Sequence, residues 1–255
     1  MKLELNRLTH KFAGVTGQPF VALEDVSIGV PSGHFLSLIG PSGCGKSTIF
    51  NIIAGLLAPS DGAVLIDGED VTGSIGTVGY MLQKDLLLPW RTALGNVTIG
   101  LEIRGMAATE RRDRARGLLD QLGLAGFEDH YPATLSGGMR QRVALARTLA
   151  HDPRVLLLDE PFAALDFQTK LLIESDTTKL VRRGGRAMMM ITHDVEEAVS
   201  LSDRVIVLSH RPTRIRSAYE IDLGGDRTDM IEARTDPRFH DYVRAIWRDL
   251  EVRKQ

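Results

Sequence analysis

The residues best placed to do chemistry are Gly40, Pro41, Ser42, Gly43, Cys44, Gly45, Lys46, Ser47 and Thr48, the run GPSGCGKST. They stand between an apolar run, Phe35 to Ile39, and an apolar-periodic stretch, Ile49 to Leu57. Strand, glycine-rich turn and helix is the context in which this pattern cradles a nucleotide's phosphates. Gly40, Gly43 and Gly45 let successive backbone N–H groups turn inward into a concave anion site, and the following helix adds the positive end of its dipole. Lys46 would reach the β- and γ-phosphates, and the Ser47 hydroxyl would ligate Mg²⁺. Cys44 lies among backbone donors beside Lys46, which favours its thiolate if the sulfur is accessible.

Two further stretches bear on what happens to a bound phosphate. In VLLLDEP, Val155 to Pro161, an apolar run delivers two carboxylates at its end. Asp159 would hold Mg²⁺ through water, and Glu160 could polarise an attacking water. Alternatively, this is an ordinary strand ending in two surface acids. In LSGGMRQR, Leu135 to Arg142, Ser136 can cap the helix that follows, while Gly137 and Gly138 permit close backbone approach. That makes a second anion-binding helix end, unless it is a generic cap. One chain has one γ-phosphate to bind, so a second such end invites a second molecule.

The elements that must position these residues follow from hydrophobic periodicity. Residues 3 to 8 and 21 to 30 alternate as half-buried strands do, with Gly14 and Gly17 marking a loop between them. Ala63 to Ile66 reads as a strand before an Asp67-Gly68 hairpin signal. From about 86 to 150 the pattern is helical, with Ala115, Leu118, Leu119 and Leu122 on one face. The opposite face carries Arg111, Arg112, Arg114 and Arg116, diluted by Glu110 and Asp113, which reads as a solvated surface. Val155–Leu158, Ala187–Ile191 and Val205–Leu208 are short apolar runs of the kind found in central parallel strands. Met188, Met189 and Met190 read as core filling. Periodicity returns at Phe239, Tyr242, Val243, Ile246, Trp247 and Leu250, an amphipathic helix of about 236–252 with Thr235 or Asp236 as cap and Pro237 near its first turn. The expected fold class is α/β: a mainly parallel core sheet with an antiparallel β subdomain and an α-helical subdomain.

GPSGCGKST, Gln83, LSGGMRQR, VLLLDEP, Ala164-Leu165-Asp166 and His193 occur in this order with suitable gaps. Over about its first 210 residues the chain resembles the ATP-binding cassette ATPases. The resemblance implies a phosphate-loop cassette that binds ATP and Mg²⁺ and hydrolyses ATP. It implies two subunits head to tail, the phosphate loop of one facing the Ser136–Gly138 segment of the other. Carried onto these positions, Gln83 would sense Mg²⁺ and the attacking water at a hinge into the helical part. His193 would contact the γ-phosphate, and Asp166 would organise the subunit interface. Phe12 matches the aromatic that stacks on adenine, with core packing as its competing reading. Met139 stands where many relatives carry glutamine, so no side-chain amide contact is implied there.

A narrower resemblance lies in GYMLQKDLLLPWRT, Gly79 to Thr92, and in HRPTRI, His210 to Ile215. Both look like ATPases of the nitrate/sulfonate/taurine importer group. They imply permease subunits in the membrane, a solute-binding protein acting indirectly, and a position on the cytoplasmic face of the inner membrane. Leu86, Leu87, Leu88 and Trp90 are either an exposed apolar patch that meets a partner or part of the helical core. The expected organisation is an ATPase domain over 1–210, its helical part about 86–150, and an extension over 211–255.

Composition narrows the rivals. A net charge of −2 gives no sign of the concentrated basic patch a nucleic-acid partner requires. Cys44 is the single cysteine, which excludes an internal disulfide and suits a reducing cytosol. No apolar run approaches the ~18 residues of a membrane span, and MKLELNRLTHKF lacks a signal-peptide h-region. The alternative is a soluble cassette ATPase acting on nucleic acid or the ribosome. Such relatives carry a long inserted coiled coil or two cassettes, and neither pattern occurs here. A phosphate-loop kinase would leave LSGGMRQR unexplained.

Overall fold

The computed structural model of the chain describes residues 1–14, 18–163, 165–225 and 229–250. Of the residues singled out above, Gly17 and Ala164 lie outside this set, as does the expected end of the last helix at 251–252. The alternating pattern of the first thirty residues forms two long strands, β1 (Leu3–Phe12) and β2 (Phe20–Val30). They pair antiparallel from Leu3↔Val30 to Phe12↔Phe20, so both run further than the expected segments. The fully apolar β3 (Phe35–Ile39) is buried throughout and leads through the glycine-rich loop into α1 (Lys46–Ile53). β4 (Asp61–Ile66) and β5 (Glu69–Asp70) close a two-residue hairpin. Asp67 and Gly68 both take positive φ there, 54° and 82°, which is the turn that matches strand twist.

Beyond this point come β6 (Gly79–Met81) and three helices, α2 (Ala93–Ile103), α3 (Ala108–Gln121) and α4 (Gly137–Leu149). The helices pack on one another through Val97, Leu101, Leu119, Leu122, Val143 and Leu145, all buried. Ala115 and Leu119 face inward on α3 while Arg112, Arg114 and Arg116 are exposed, as the arginine pattern implied. The rest of the chain alternates strand and helix: β7 (Val155–Asp159), α5 (Phe167–Arg183), β8 (Ala187–Ile191), α6 (Val195–Leu201) and β9 (Arg204–Leu208). It ends in β10 (Ile215–Glu220), α7 (Met230–Thr235) and α8 (Phe239–Leu250).

Two sheets result. One is antiparallel in the order β2-β1-β4-β5; the other runs β10-β9-β3-β8-β7-β6. In the second, five neighbouring strands from β9 to β6 are parallel and only β10 is antiparallel, on β9. The expected α/β class is therefore what the chain adopts. Met188, Met189 and Met190 lie fully inside β8 and fill the core on both faces of the sheet. Two strands were not anticipated: β6, too short to show a period, and β10, whose residues are half-exposed. Position 210 falls in the connection between two neighbouring, hydrogen-bonded strands of this sheet, β9 and β10.

The tail then folds back. Phe239, Val243 and Ile246 pack against Val199, Val205 and Val207, while Trp247, expected on the same face, stays largely exposed. Asp236 anchors the start of α8: its carboxylate accepts from the Arg238 N–H at 2.8 Å and the Gly224 N–H at 2.8 Å. Arg238 beside it holds the Asp236 carboxyl far below the usual range. Arg234 on α7 approaches the buried Glu174 on α5 at 3.7 Å.

The loop carrying Leu88, Pro89 and Trp90 is organised by one buried amide. Asn96 on α2 is fully buried; its Oδ1 accepts the Leu88 N–H at 2.7 Å. Its Nδ2 donates to the carbonyls of Leu88, Arg91 and Thr92. Replacement by leucine keeps the volume and leaves these main-chain groups without their partner, a loss of at least ~2 kcal/mol. We expect Asn96→Leu to lower the denaturation midpoint accordingly, and Asn96→Asp to lower it too, because its second oxygen would face the three carbonyls that Nδ2 now serves. Equal midpoints for wild type and Asn96→Leu would remove Asn96 from this role.

Candidate functional site

Parallel strands deliver their carboxyl ends to one edge of the sheet, and adjacent strands deliver them side by side. At that edge β3 leads into the phosphate loop, β8 to His193, β7 to Asp159 and Glu160, and β6 to Gln83. The register puts Asp159 opposite Ile191 and Ile191 opposite Leu38. Ser42, Gly43, Gly45, Lys46, Ser47, Thr48, Gln83, Asp159, Glu160, Ile191, His193 and Arg211 line the resulting cleft of 270 Å³. A larger cavity of 450 Å³, bordered by residues such as Ile66, His151 and Pro153, contains none of the residues named from the sequence for chemistry.

The loop has the backbone that its glycines permit, with Gly43 at φ 71° and Gly45 at φ 118°. The buried Lys46 ammonium donates to the Gly40 carbonyl at 2.7 Å and the Pro41 carbonyl at 3.1 Å, so it spans the loop. The Ser47 hydroxyl donates to Asp159 Oδ2 at 3.3 Å. Burial pushes the Asp159 carboxyl upward; the bond from Ser47 opposes this and the charge of Glu160 adds to it. A hydroxyl and one carboxylate, with the remaining positions left to phosphate and water, is a donor set that suits Mg²⁺. Among the described residues no cluster of three or more histidine, cysteine, aspartate or glutamate side chains forms a protein-only metal cage.

Glu160 occupies the centre of the polar wall. Its Oε2 accepts from Gln83 Nε2 at 2.9 Å and its Oε1 lies 2.7 Å from His193 Nε2. The residue takes φ 50°, a left-handed conformation that costs a non-glycine residue ~1–3 kcal/mol. Its N–H donates to the Ile191 carbonyl at 2.9 Å, which holds that conformation. Gln83, expected as a metal sensor, is thus bonded to Glu160 and not to the Ser47–Asp159 pair.

Other expected residues lie elsewhere. Ser136 caps α4, its Oγ accepting the Met139 N–H at 3.2 Å. Ser136, Gly137 and Gly138 do not line the cleft. Asp166 caps α5 through Thr169, whose N–H and hydroxyl environment draws its carboxyl downward, and is exposed. Phe12 is half-buried, edge-on to His10 at 4.4 Å and 5.7 Å from the Phe20 ring. Arg211 and Thr213 were not named for the site. HRPTRI gave no chemical cue, because both residues act on a loop that precedes them by most of the chain.

Cys44 departs from expectation. It is 2 % exposed, and burial raises its thiol pKa despite Lys46 and Arg211. The reactive, accessible thiolate expected from its neighbours is overruled by packing: Sγ sits against Gly40, at the end of β9.

A family model described as ABC transporter matches residues 23–163. The chain belongs to the ABC transporter family. Among similar proteins, an uncharacterized ABC transporter ATP-binding protein, MJ0412 of Methanocaldococcus jannaschii, is 46 % identical over 96 % of this chain and 90 % of its own. The nitrate import ATP-binding protein NrtD of Synechocystis is 43 % identical, covering 95 % and 92 %. The taurine import ATP-binding protein TauB of Roseobacter denitrificans is 40 % identical, covering 98 % and 95 %. The dimeric structure of MJ0796, a bacterial ABC transporter cassette, superposes with TM-score 0.79 at 33 % identity, over 86 % of this chain and 99 % of that one. A post-hydrolysis dimer of the same cassette, bound to ADP and Pi, gives 0.78. The ABC cassette described here is an ATP-binding ATPase of that architecture.

The burial of Cys44 has a direct consequence. We expect maleimide to label the native ABC cassette at least ~10²-fold more slowly than the unfolded chain, because reaction requires local opening. Rapid native-state labelling, followed by mass spectrometry, would contradict this packing.

Proposed function

We propose that this cassette is the ATP-hydrolysing subunit of an importer for a small solute such as nitrate, a sulfonate or taurine. The observation that carries the catalytic reading is Glu160 held between Gln83 and His193, directly beside the Ser47–Asp159 pair and the phosphate loop. The backbone donors from Gly40 to Thr48 and the Lys46 ammonium bind and orient the phosphates. Ser47 and Asp159 would hold Mg²⁺, which when bound neutralises charge on the phosphate oxygens. Gln83 and His193 fix the Glu160 carboxylate so that a free oxygen lone pair can orient a water or accept its proton. His193 is half-exposed and can turn toward the γ-phosphate. Phe12, half-buried against His10 and Phe20, would offer its ring to adenine.

At the start of α4 Ser136 is exposed and Gly137 and Gly138 are half-buried, all outside the chain's own cleft. A second subunit, in the simplest case another copy, would bring that end to the γ-phosphate, with Asp166 at the seam. The dimeric form of MJ0796 supports this reading. Nucleotide contacts made by both subunits only when closed are the differential contacts that a conformational shift requires. Hydrolysis removes them and reopens the pair.

The names of the NrtD and TauB relatives support the importer assignment. Among the described residues no helix is long and apolar enough to cross a membrane, so the solute path belongs to permease subunits. The cassette would sit peripherally on the cytoplasmic face of the inner membrane, with a solute-binding protein acting through the permease. The apolar cluster after Gln83 divides: Leu87 is buried and Leu88 half-buried, while Leu86 and Trp90 are exposed, Trp90 at 71 %. An exposed tryptophan on a loop braced by Asn96 suits a docking anchor.

Two measurements test these assignments. Glu160→Gln keeps size and removes the carboxylate; we expect ATP binding to persist, turnover to fall by at least ~10²-fold and an ATP-held dimer to accumulate. Near-normal turnover of the purified assembly would reject Glu160. Trp90→Ala should weaken permease pull-down about 30-fold, the equivalent of ~2 kcal/mol, with little change in melting temperature or ATP affinity. Unchanged pull-down would remove Trp90 from the interface.

A further inference from the structure

A loop whose N–H groups point into an anion site turns carbonyls the other way, and those carbonyls need donors. Two of them find donors in the segment between β9 and β10. The Thr213 hydroxyl, fully buried, donates to the Cys44 carbonyl. Arg211 Nε donates to the Gly43 carbonyl at 2.6 Å. These are consecutive carbonyls at the tip of the phosphate loop. The contact is tight: a side chain on Gly45 would meet the Thr213 hydroxyl at 3.1 Å and Leu23 at 2.9 Å.

The segment is itself anchored. The Thr213 N–H donates to the Ala22 carbonyl at 2.9 Å, and its own carbonyl accepts the Glu24 N–H at 3.0 Å. Arg214 pairs with Glu24 at 2.8 Å. Arg211 stacks over the Phe20 ring at 5.7 Å, and its charge borders the cleft. Three parts of the chain meet here: the hairpin strand that begins at Phe20, the phosphate loop, and the tail segment.

We propose that Thr213 and Arg211 are positioning residues for nucleotide binding, a strap that fixes the phosphate loop with its donors inward. Thr213 fixes the buried carbonyl and does not touch the nucleotide. Arg211 fixes the rim carbonyl, and its guanidinium, over the Phe20 ring, adds positive charge at the edge of the phosphate site. The inference rests on the reading of this cleft as the ATP site. Because the loop's N–H groups hold the phosphates in ground and transition states alike, losing the strap removes uniform binding. The loss therefore falls on KM and on nucleotide affinity more than on kcat.

The test is nucleotide affinity of the full-length protein, measured with ATP and ADP by titration calorimetry, together with steady-state ATPase kinetics. Thr213→Val keeps the shape and removes the donor. We expect its affinity for both nucleotides to fall about tenfold, with KM rising in step and kcat changing less, the scale of one lost hydrogen bond to a buried carbonyl. Thr213→Ser should restore affinity, and Arg211→Ala should weaken both nucleotides in the same sense. Wild-type affinity in folded Thr213→Val, with only the melting temperature lowered, would reduce the strap to structural packing and overturn the proposal. Failure of Thr213→Ser to rescue would do the same. If the wild-type protein bound neither ATP nor ADP, the reading of the cleft would fall instead, an outcome that does not resemble loss of the strap.

Discussion

The structure depends on a single requirement: the carbonyls that the phosphate loop turns away from its anion site must find donors, so that the inward donors stay aimed. Lys46 takes those of Gly40 and Pro41, and the Cys44 N–H shares the latter at 3.2 Å. The Ile49 N–H takes Gly45 and thereby starts the helical ladder of α1. Arg211 and Thr213 take those of Gly43 and Cys44 at the tip. The loop is thus braced from its own lysine, from the helix behind it and from a tail segment reached only after β9. An unpaired buried carbonyl would cost ~1–3 kcal/mol, enough to let the loop relax into another turn. The position of β9 beside β3, at the centre of the sheet, is what brings the tail within reach.

The same sheet order explains the carboxylates. Glu160 can hold a left-handed backbone because its N–H is bonded to the Ile191 carbonyl of the neighbouring strand. That strand then turns immediately to His193, whose ring meets the Glu160 carboxylate. The constraint that strains Glu160 and the contact that orients it therefore come from one strand end. Asp159, the last residue of β7, meets the Ser47 hydroxyl, while the left-handed turn at Glu160 carries the next carboxylate to Gln83 and His193. Two adjacent acids thereby acquire different environments without any further device.

Much of this was legible in the sequence, for identifiable reasons. Uninterrupted apolar runs such as Leu156 to Leu158 and Met188 to Met190 admit few structures other than buried parallel strands. Asp67-Gly68 fixed its turn through the φ values it tolerates, and Ser136 was read correctly as a cap. What stayed hidden was decided by contacts distant in sequence. Cys44 has a neighbourhood that activates thiols, yet Gly40 and the end of β9 bury it. Leu86 and Leu87 are alike as residues; the turn at Leu86, with φ 45°, sends one outward and the other into the helical core. β10 alternates only between half-buried and exposed positions, with serine between its two packed residues Ile215 and Tyr219, so its period is weak in the sequence. Thr213 is an ordinary threonine in a polar stretch, and only the fold places its hydroxyl against Cys44.

The two anion-binding helix ends differ in a way that bears on how the cassette works. The start of α1 is embedded: Gly45 has no side-chain cap, and its donors belong to the cleft. The start of α4 is capped by Ser136, which is exposed, and Gly137 and Gly138 after it are half-buried. A helix end satisfied by its own serine can wait exposed at little cost, because water and the hydroxyl meet its donors. An embedded end without such a cap gains most when an anion arrives. That asymmetry favours an order of events in the proposed dimer. Nucleotide would first occupy the loop beside α1, and the facing α4 would then add its dipole to a charge already in place. Ser136 serves only the Met139 N–H, so in the proposed dimer the facing end would still offer the N–H groups of Gly137 and Gly138 to a phosphate already bound.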